Sequence, residues 1–370
     1  MREPTSRIRI AVVGTGFGAR IHVPAFAASG RFDVVALVGR RAAHTAELAA
    51  RLGVPHALTS LDQALALAGL AAVSVATPPD THAEYAIAAA RAGRHVLCEK
   101  PMARSRAEAR AMRDAAARAG VVSMIDHEFR FDPSRAMLAR LLHRGQLGAV
   151  RTASCLAMSP LFVDPYRAAP AWWFDAARGG GWLGASGSHA IDALRVWLGE
   201  YAAVAALIDT YVAEGRADGA GDAAVRCDAD DAFALLCRMA CGAQCTVQQS
   251  AVAWGPRLTL VRIAGADATA WIDARGALWC AERGGVPFAV PIDDDLRLPD
   301  VEPPAQSGPF SRWEFPAFIR QAEHFADAIE GRPRAAPAAA TFDDGVACQE
   351  VMDAAREAAR TATWVRVGGR

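Results

Sequence analysis

Over the first 125 residues, short apolar runs rich in β-branched side chains alternate with alanine-rich stretches whose apolar positions recur at helical spacing. The runs predict strands over 8–13, 34–38, 72–76, 95–98 and 121–125. Continuous apolar runs of this length between turn residues suit strands buried on both faces. Between them, 42–52 and 81–92 gather apolar side chains on one helix face, and Gly53 and Gly93 follow as stop signals. Strand and helix in regular succession predict a parallel sheet with right-handed crossovers, the doubly wound α/β arrangement.

The periodicity changes from 126 onwards. A helix is predicted over 134–144, a strand from 150, and then comes an aromatic and glycine-rich stretch over 162–187. That stretch is too long for a simple connection and reads as a functional loop covering a cleft. A helix over 188–198 precedes strand-like runs at 204–212, 232–239, 244–252 and 258–263 with no helices between them, which predicts a mainly antiparallel sheet. Helices over 316–330 and 343–360 close the chain after a proline-rich linker at 299–309. The expected fold class is an α/β Rossmann domain plus an α+β domain with a large, mainly antiparallel open sheet. Residues 1–125 form the dinucleotide-binding domain in this reading, and 126–370 the substrate and oligomerisation domain. A chain of 370 residues exceeds what one core usually organises, in line with two domains.

The 40 basic and 40 acidic residues cancel, which argues against nucleic acid or an anionic membrane surface as partner and favours a small-molecule substrate. Residues 1–9 lead into the first strand without a signal-peptide core, and no long uncharged apolar stretch follows, so a cytoplasmic location is expected. None of the eight cysteines forms a C-x-x-C pair. No metal site is expected, and Cys237, Cys241 and Cys245 read as thiols packed in a hairpin. An open sheet needs its exposed face covered, so a homodimer or homotetramer is expected.

Directly after the first strand stands Gly14-Thr15-Gly16-Phe17-Gly18-Ala19, followed by a helix. This is the context in which a G-x-G-x-x-G/A turn binds a dinucleotide. Gly14 makes the tight turn, Gly16 admits the pyrophosphate to the backbone, and Ala19 lets helix and strand pack closely, with Phe17 and Gly18 between them. The helix N-terminus offers its amides to the phosphates. An acidic residue closing the second strand would select NAD(H), but that strand ends Val38-Gly39-Arg40-Arg41. Arg40 and Arg41 suit a 2′-phosphate, so NADP(H) is expected over NAD(H); a solvated basic pair at a helix start is the alternative.

Three further runs carry a resemblance: Thr77-Pro78-Pro79-Asp80-Thr81-His82, then Cys98-Glu99-Lys100-Pro101, then Gly179-Gly180-Gly181 with Gly187-Ser188-His189-Ala190-Ile191-Asp192. With the Rossmann turn, they make the chain resemble the Gfo/Idh/MocA oxidoreductases over nearly its whole length. The resemblance implies a nicotinamide-dependent dehydrogenase acting on CH–OH groups of a cyclic substrate, most often a sugar or polyol. It implies cofactor contacts from Thr77, Pro78, His82, Glu99 and Lys100, and proton handling by Lys100 and His189. A lysine past the end of a parallel strand lies where such sheets bind ligands, and can stabilise an alkoxide. An imidazole titrates near neutrality.

Family members commonly carry an aspartate four residues before the histidine, where this chain has Ala185. Asp126, His127, Glu128 and Tyr166 are candidates to replace it, and Asp192 to orient His189. Tyr166, Trp172 and Trp173, with Phe162 and Phe174 nearby, can stack on a ring-shaped substrate, with core packing as the alternative. Arg130 suits a carboxylate or phosphate of the substrate, or an interdomain ion pair. Two other functions stay open: a glycosidase using a retained nicotinamide, and a cofactor-binding sensor without turnover, which Ala185 favours.

Overall fold

The structure is a computed structural model and describes residues 7–164, 168–217, 224–304, 311–333 and 336–368. Two compact units organise the chain. Met1–Ala103, Ala107–Asp132 and Leu298–Val346 form the first, and Arg104–Arg106, Pro133–Arg297 and Ala347–Arg370 the second. A single break at 125/126 therefore simplifies the division: the first unit continues to Asp132, and 298–346 returns to it.

The first unit contains a six-stranded sheet of β1 (Ile8–Val13), β2 (Phe32–Val38), β3 (His56–Leu58), β4 (Ala72–Val75), β5 (His95–Cys98) and β6 (Ser123–Ile125), in spatial order 3-2-1-4-5-6. All its pairs are parallel. Helices α1 (Val23–Ala28), α2 (Ala42–Leu52), α3 (Leu61–Leu65), α4 (His82–Arg91) and α5 (Arg106–Ala119) connect the strands. The central strands are almost wholly buried, as their unbroken apolar runs require, whereas β3 at the edge is short and largely exposed.

The segment 298–346 joins this unit by packing into the apolar cluster that α1 and α2 form against the sheet. The helix Ser311–Ile329 supplies buried Phe318 and Phe325, which pack against Phe26 and Phe32 with ring centroids 5.5 and 5.9 Å apart. Pro316 lies inside this helix, which starts earlier than expected. At the sixth helical position this proline removes the bond its nitrogen would have made to the carbonyl of residue 312.

The second unit opens with helix α6 (Pro133–His143) and strand β7 (Thr152–Met158), followed by α7 (Ser188–Leu198) and β8 (Tyr201–Asp209). β9 (Glu214–Arg216) and β10 (Ala224–Arg226) pair as a small separate ribbon. β11 (Ala232–Met239), β12 (Gln244–Ser250), β13 (Leu258–Ala264), β14 (Ala268–Ile272), β15 (Leu278–Glu282), β16 (Phe288–Ala289) and β17 (Val365–Arg366) complete it. The nine-stranded sheet runs 16-15-14-13-7-12-11-8-17 and is antiparallel except for β7 with β12. Cys237 and Cys245 face each other across the β11–β12 hairpin and are buried, while Cys241 is exposed at its turn. All eight cysteines are free thiols. Among the described residues, no helix is long and apolar enough to cross a membrane.

Candidate active site

After β1 the chain turns beside β4, the neighbour at which strand order reverses and where such sheets bind ligands. Gly14 has φ of 129°, and a Cβ there would run into the Ala76 carbonyl, so this turn requires glycine. Around Gly16 no atom lies within 4 Å of a Cβ position, the open approach that a pyrophosphate against the backbone needs. The close helix–strand contact falls on Gly18, where a Cβ would lie 3.0 Å from Val12 Cγ1 and 3.1 Å from Ala76 Cβ. Ala19, expected to let helix and strand pack closely, is buried in the same apolar cluster as Ile10 and Val12. The first helical turn, Gly18–His22, is wound as a wide π turn. Phe17 is half-buried and packs edge-on against His22, with centroids 5.4 Å apart.

At the end of β2, Arg40 and Arg41 are exposed, and α2 starts directly after them. A Cβ at Gly39 would fall 2.6 Å from Thr45 Oγ1 and against the Thr15 methyl group. A side chain at the position where an NAD-selecting carboxylate would stand would have to displace Thr15 and Thr45, and the two guanidinium groups are the charges at this end.

Beyond β4, the Thr81 hydroxyl donates to Thr77 Oγ1 at 2.8 Å and lies 2.9 Å from the Pro78 carbonyl, which braces this loop. His82 is buried with its ring nitrogens 2.8 Å from the Thr77 carbonyl and 3.0 Å from the Pro101 carbonyl. Burial lowers its pKa, so the ring is neutral and donates to one carbonyl at a time. His82 ties the loops after β4 and β5 together.

Glu99 and Lys100 part company at the end of β5. Lys100 is half-buried, and its peptide bond to Pro101 is cis. Glu99 turns inward and is buried. His22 Nε2 lies 2.9 Å from Glu99 Oε1 and 3.7 Å from Asp126 Oδ2, and His22 Nδ1 lies 2.7 Å from Ser74 Oγ. His22, Ser74, Glu99, Asp126 and Glu128 are all buried. Sequence reasoning missed His22 and Ser74. A histidine in an apolar first crossover, with a serine in an otherwise apolar central strand, was the available signal. The Arg130 guanidinium pairs with Asp344 at 3.1 Å and donates to the Ala338 carbonyl, an ion pair inside the first unit and not the interdomain one expected.

In the second unit, Ala185 is half-buried in the turn Leu183–Gly187 that leads into α7, where His189 and Asp192 are buried. The Cys348 thiol lies 3.9 Å from Asp192 Oδ1. Asp230, another residue the sequence reading missed, fixes this turn: its Oδ2 accepts from the Leu183 amide at 2.7 Å, and its own carbonyl accepts from Trp182. Burial raises the Asp230 pKa, with the Leu183 amide and the Arg356 charge opposing. The aromatic residues pack on one another. Phe162 meets Trp173, Phe174 and Trp182 at 6.0, 5.2 and 5.8 Å between centroids, and Trp172 lies edge-on to Trp173 at 5.8 Å. Phe174 and Trp182 are buried, whereas Trp172 and Trp173 are half-buried at the margin of the cluster. Tyr166 lies outside the described residues.

Residues 8–127 match the oxidoreductase family with an NAD-binding Rossmann fold, and 136–271 match the Gfo/Idh/MocA C-terminal domain. The chain belongs to the Gfo/Idh/MocA family of oxidoreductases. Levoglucosan dehydrogenase of Pseudarthrobacter phenanthrenivorans is 31% identical over 272 residues, covering 67% of this chain and 68% of that protein. A D-xylose 1-dehydrogenase (NADP(+)) of Haloferax volcanii is 36% identical over 191 residues, covering 51% of this chain and 56% of that one. A solved levoglucosan dehydrogenase in complex with NADH and levoglucosan superimposes with a TM-score of 0.84 at 26% identity, over 98% of this chain and all of the other. The fold is that of this family: a parallel Rossmann sheet with a large, mixed, mostly antiparallel sheet.

Proposed function

We propose that the protein is an NADP(H)-preferring dehydrogenase or reductase that interconverts a secondary alcohol and its ketone on a cyclic substrate, a sugar, polyol or less polar ring. The observation that carries this reading is Lys100 at the carboxyl end of β5, in the same parallel sheet whose β1 is followed by a glycine turn open at Gly16 and whose β2 ends on the exposed Arg40 and Arg41. Residues Gly14, Gly16 and Gly18 would hold the dinucleotide, with Arg40 and Arg41 on its 2′-phosphate. When bound, the nicotinamide supplies or accepts the hydride.

Lys100 hydrogen-bonds the substrate oxygen, stabilises negative charge on it, and passes its proton. His189 is the second proton-handling group. Trp172 and Trp173 offer their half-buried rings to the apolar face of a cyclic substrate. The test is Lys100→Met. It is expected to lower turnover by about a hundredfold or more, the range for losing a general acid–base group, and to leave NADPH binding by the resting protein in place. Equal turnover in the variant refutes the role. Ala185 favours a second reading, a sensor that binds cofactor without turnover; absence of single-turnover hydride transfer across a polyol and cyclic-alcohol panel would establish it.

A further inference from the structure

The buried group beneath Lys100 has a charge arrangement that its geometry defines. One ligand-type atom from each of His22, Glu99 and Asp126 lies within 4.8 Å of the others. Two carboxylates this close, out of water, repel by about 4 kcal/mol at 4 Å and an effective dielectric constant near 20, so one of them keeps its proton. Glu99 is the better site for the charge. It faces His22 Nε2 on one oxygen, and on the other it accepts the Lys100 backbone N–H at 3.2 Å. No hydrogen-bond donor stands against either oxygen of Asp126. An ionised Glu99 can only accept, so the proton on His22 Nε2 points at Glu99 Oε1, while the Ser74 hydroxyl, able to donate or accept, faces His22 Nδ1 at 2.7 Å.

Resting on the assignment of Lys100 above, we propose that Glu99 and Asp126 hold one proton between them, resident on Asp126, and that His22 and Asp126 are positioning residues that keep a single negative charge on Glu99 next to Lys100. That negative charge attracts the lysine ammonium.

The surrounding electrostatics agree. Burial alone would raise the Glu99 pKa, but the His22 hydrogen bond and charge, with the Lys100 charge, hold it down to about 2. Asp126 is pushed well above the usual carboxylate range by burial and by the charges of Glu99 and Glu128. Glu128 is also pushed up, by burial first, with Glu99 and Glu314 adding to it and Lys100 opposing. Burial keeps the Cys98 thiol protonated and His82 neutral. Of the three buried carboxyls Glu99, Asp126 and Glu128, Glu99 is the one held below the usual carboxylate range.

Two measurements test this. In the protein without substrate, the infrared spectrum at neutral pH should contain the C=O stretch of a protonated carboxylic acid that Asp126→Asn removes. A spectrum unchanged by Asp126→Asn overturns the proposal, whether or not a substrate is ever found. In the pH profile of kcat/KM, Glu99→Gln removes an anion beside the lysine and should move its midpoint down by about one unit or more. Asp126→Asn, which replaces a neutral acid by a neutral amide, should leave the midpoint in place. His22→Leu should move it in the same direction as Glu99→Gln and add nothing in the double variant, while His22→Gln, still able to donate, restores it. Asp126→Asn shifting the midpoint as far as Glu99→Gln overturns the assignment. These two near-isosteric variants carry the test if His22→Leu does not fold.

Discussion

Replacing Arg40 by alanine probes the cofactor end of the site with the least disturbance of the fold, because this side chain is exposed and caps no helix. In the reading proposed here, its guanidinium makes a charge-assisted hydrogen bond to the 2′-phosphate, a bond of about 1.5 to 3 kcal/mol. Losing it should weaken NADPH about tenfold to a hundredfold, at about 1.4 kcal/mol per tenfold, and leave NADH nearly unaffected. Arg41 remains and keeps part of the attraction. The crowding at Gly39 sharpens the expectation, since a Cβ 2.6 Å from Thr45 Oγ1 prevents Gly39→Asp from simply converting the site to NADH. That variant should lose affinity for both cofactors. Calorimetric titration of the parent protein and Arg40→Ala with each reduced cofactor gives all four constants. Equal parental affinity for NADH and NADPH, or equal weakening of both by Arg40→Ala, refutes the reasoning.

Arg130→Met removes the cation from Asp344 and should destabilise the first unit by about 1.5 to 3 kcal/mol, visible in denaturant unfolding, with substrate KM unchanged; a selective rise in KM would return Arg130 to the substrate site. Asp230 has a pKa raised by burial, so its folded-state contribution is full below about pH 3.9 and is lost as pH rises through the raised value. The melting temperature of Asp230→Asn relative to the parent should therefore climb with pH across that window, and a relative fall contradicts the assigned direction. Ala185→Asp places a carboxylate in a half-buried turn and should lower hydride transfer to cyclic alcohols; polyol turnover gained only in this variant would support the sensor reading instead.

Local patterns carried most of the architecture. β1 and β5, α2 and α7, and β11 have the ends that periodicity and stop residues predict, because each is a continuous apolar run or a single amphipathic face. β3 and the strands β14 to β16 escaped that reading. They are short or half-exposed, and pairing with a neighbour, not their own pattern, makes them strands. The return of 298–346 to the first unit was also hidden. An amphipathic helix announces that it covers something, but its sequence does not say which sheet face lacks a partner.

The site divides along the same line. Gly14, Gly16 and the Gly39-Arg40-Arg41 end are readable because turn conformation and surface charge are local properties. The carboxyl group is not, since His22 meets Ser74 and Glu99 across 52 and 77 residues of chain. A buried charge must draw its partners from wherever the fold brings them, and no spacing rule encodes that. Glu99 and Lys100 make the point most sharply: adjacent in sequence, they read as parts of one motif. Neighbouring residues at a strand end point to opposite sides, and here the glutamate goes into the interior and the lysine stays half-buried. Their substitutions should therefore separate. Glu99→Gln should move the pH dependence while turnover persists, and Lys100→Met should remove turnover at every pH. Identical profiles for the two variants would mean that they act as a single unit and that the inward turn of Glu99 has no mechanistic consequence.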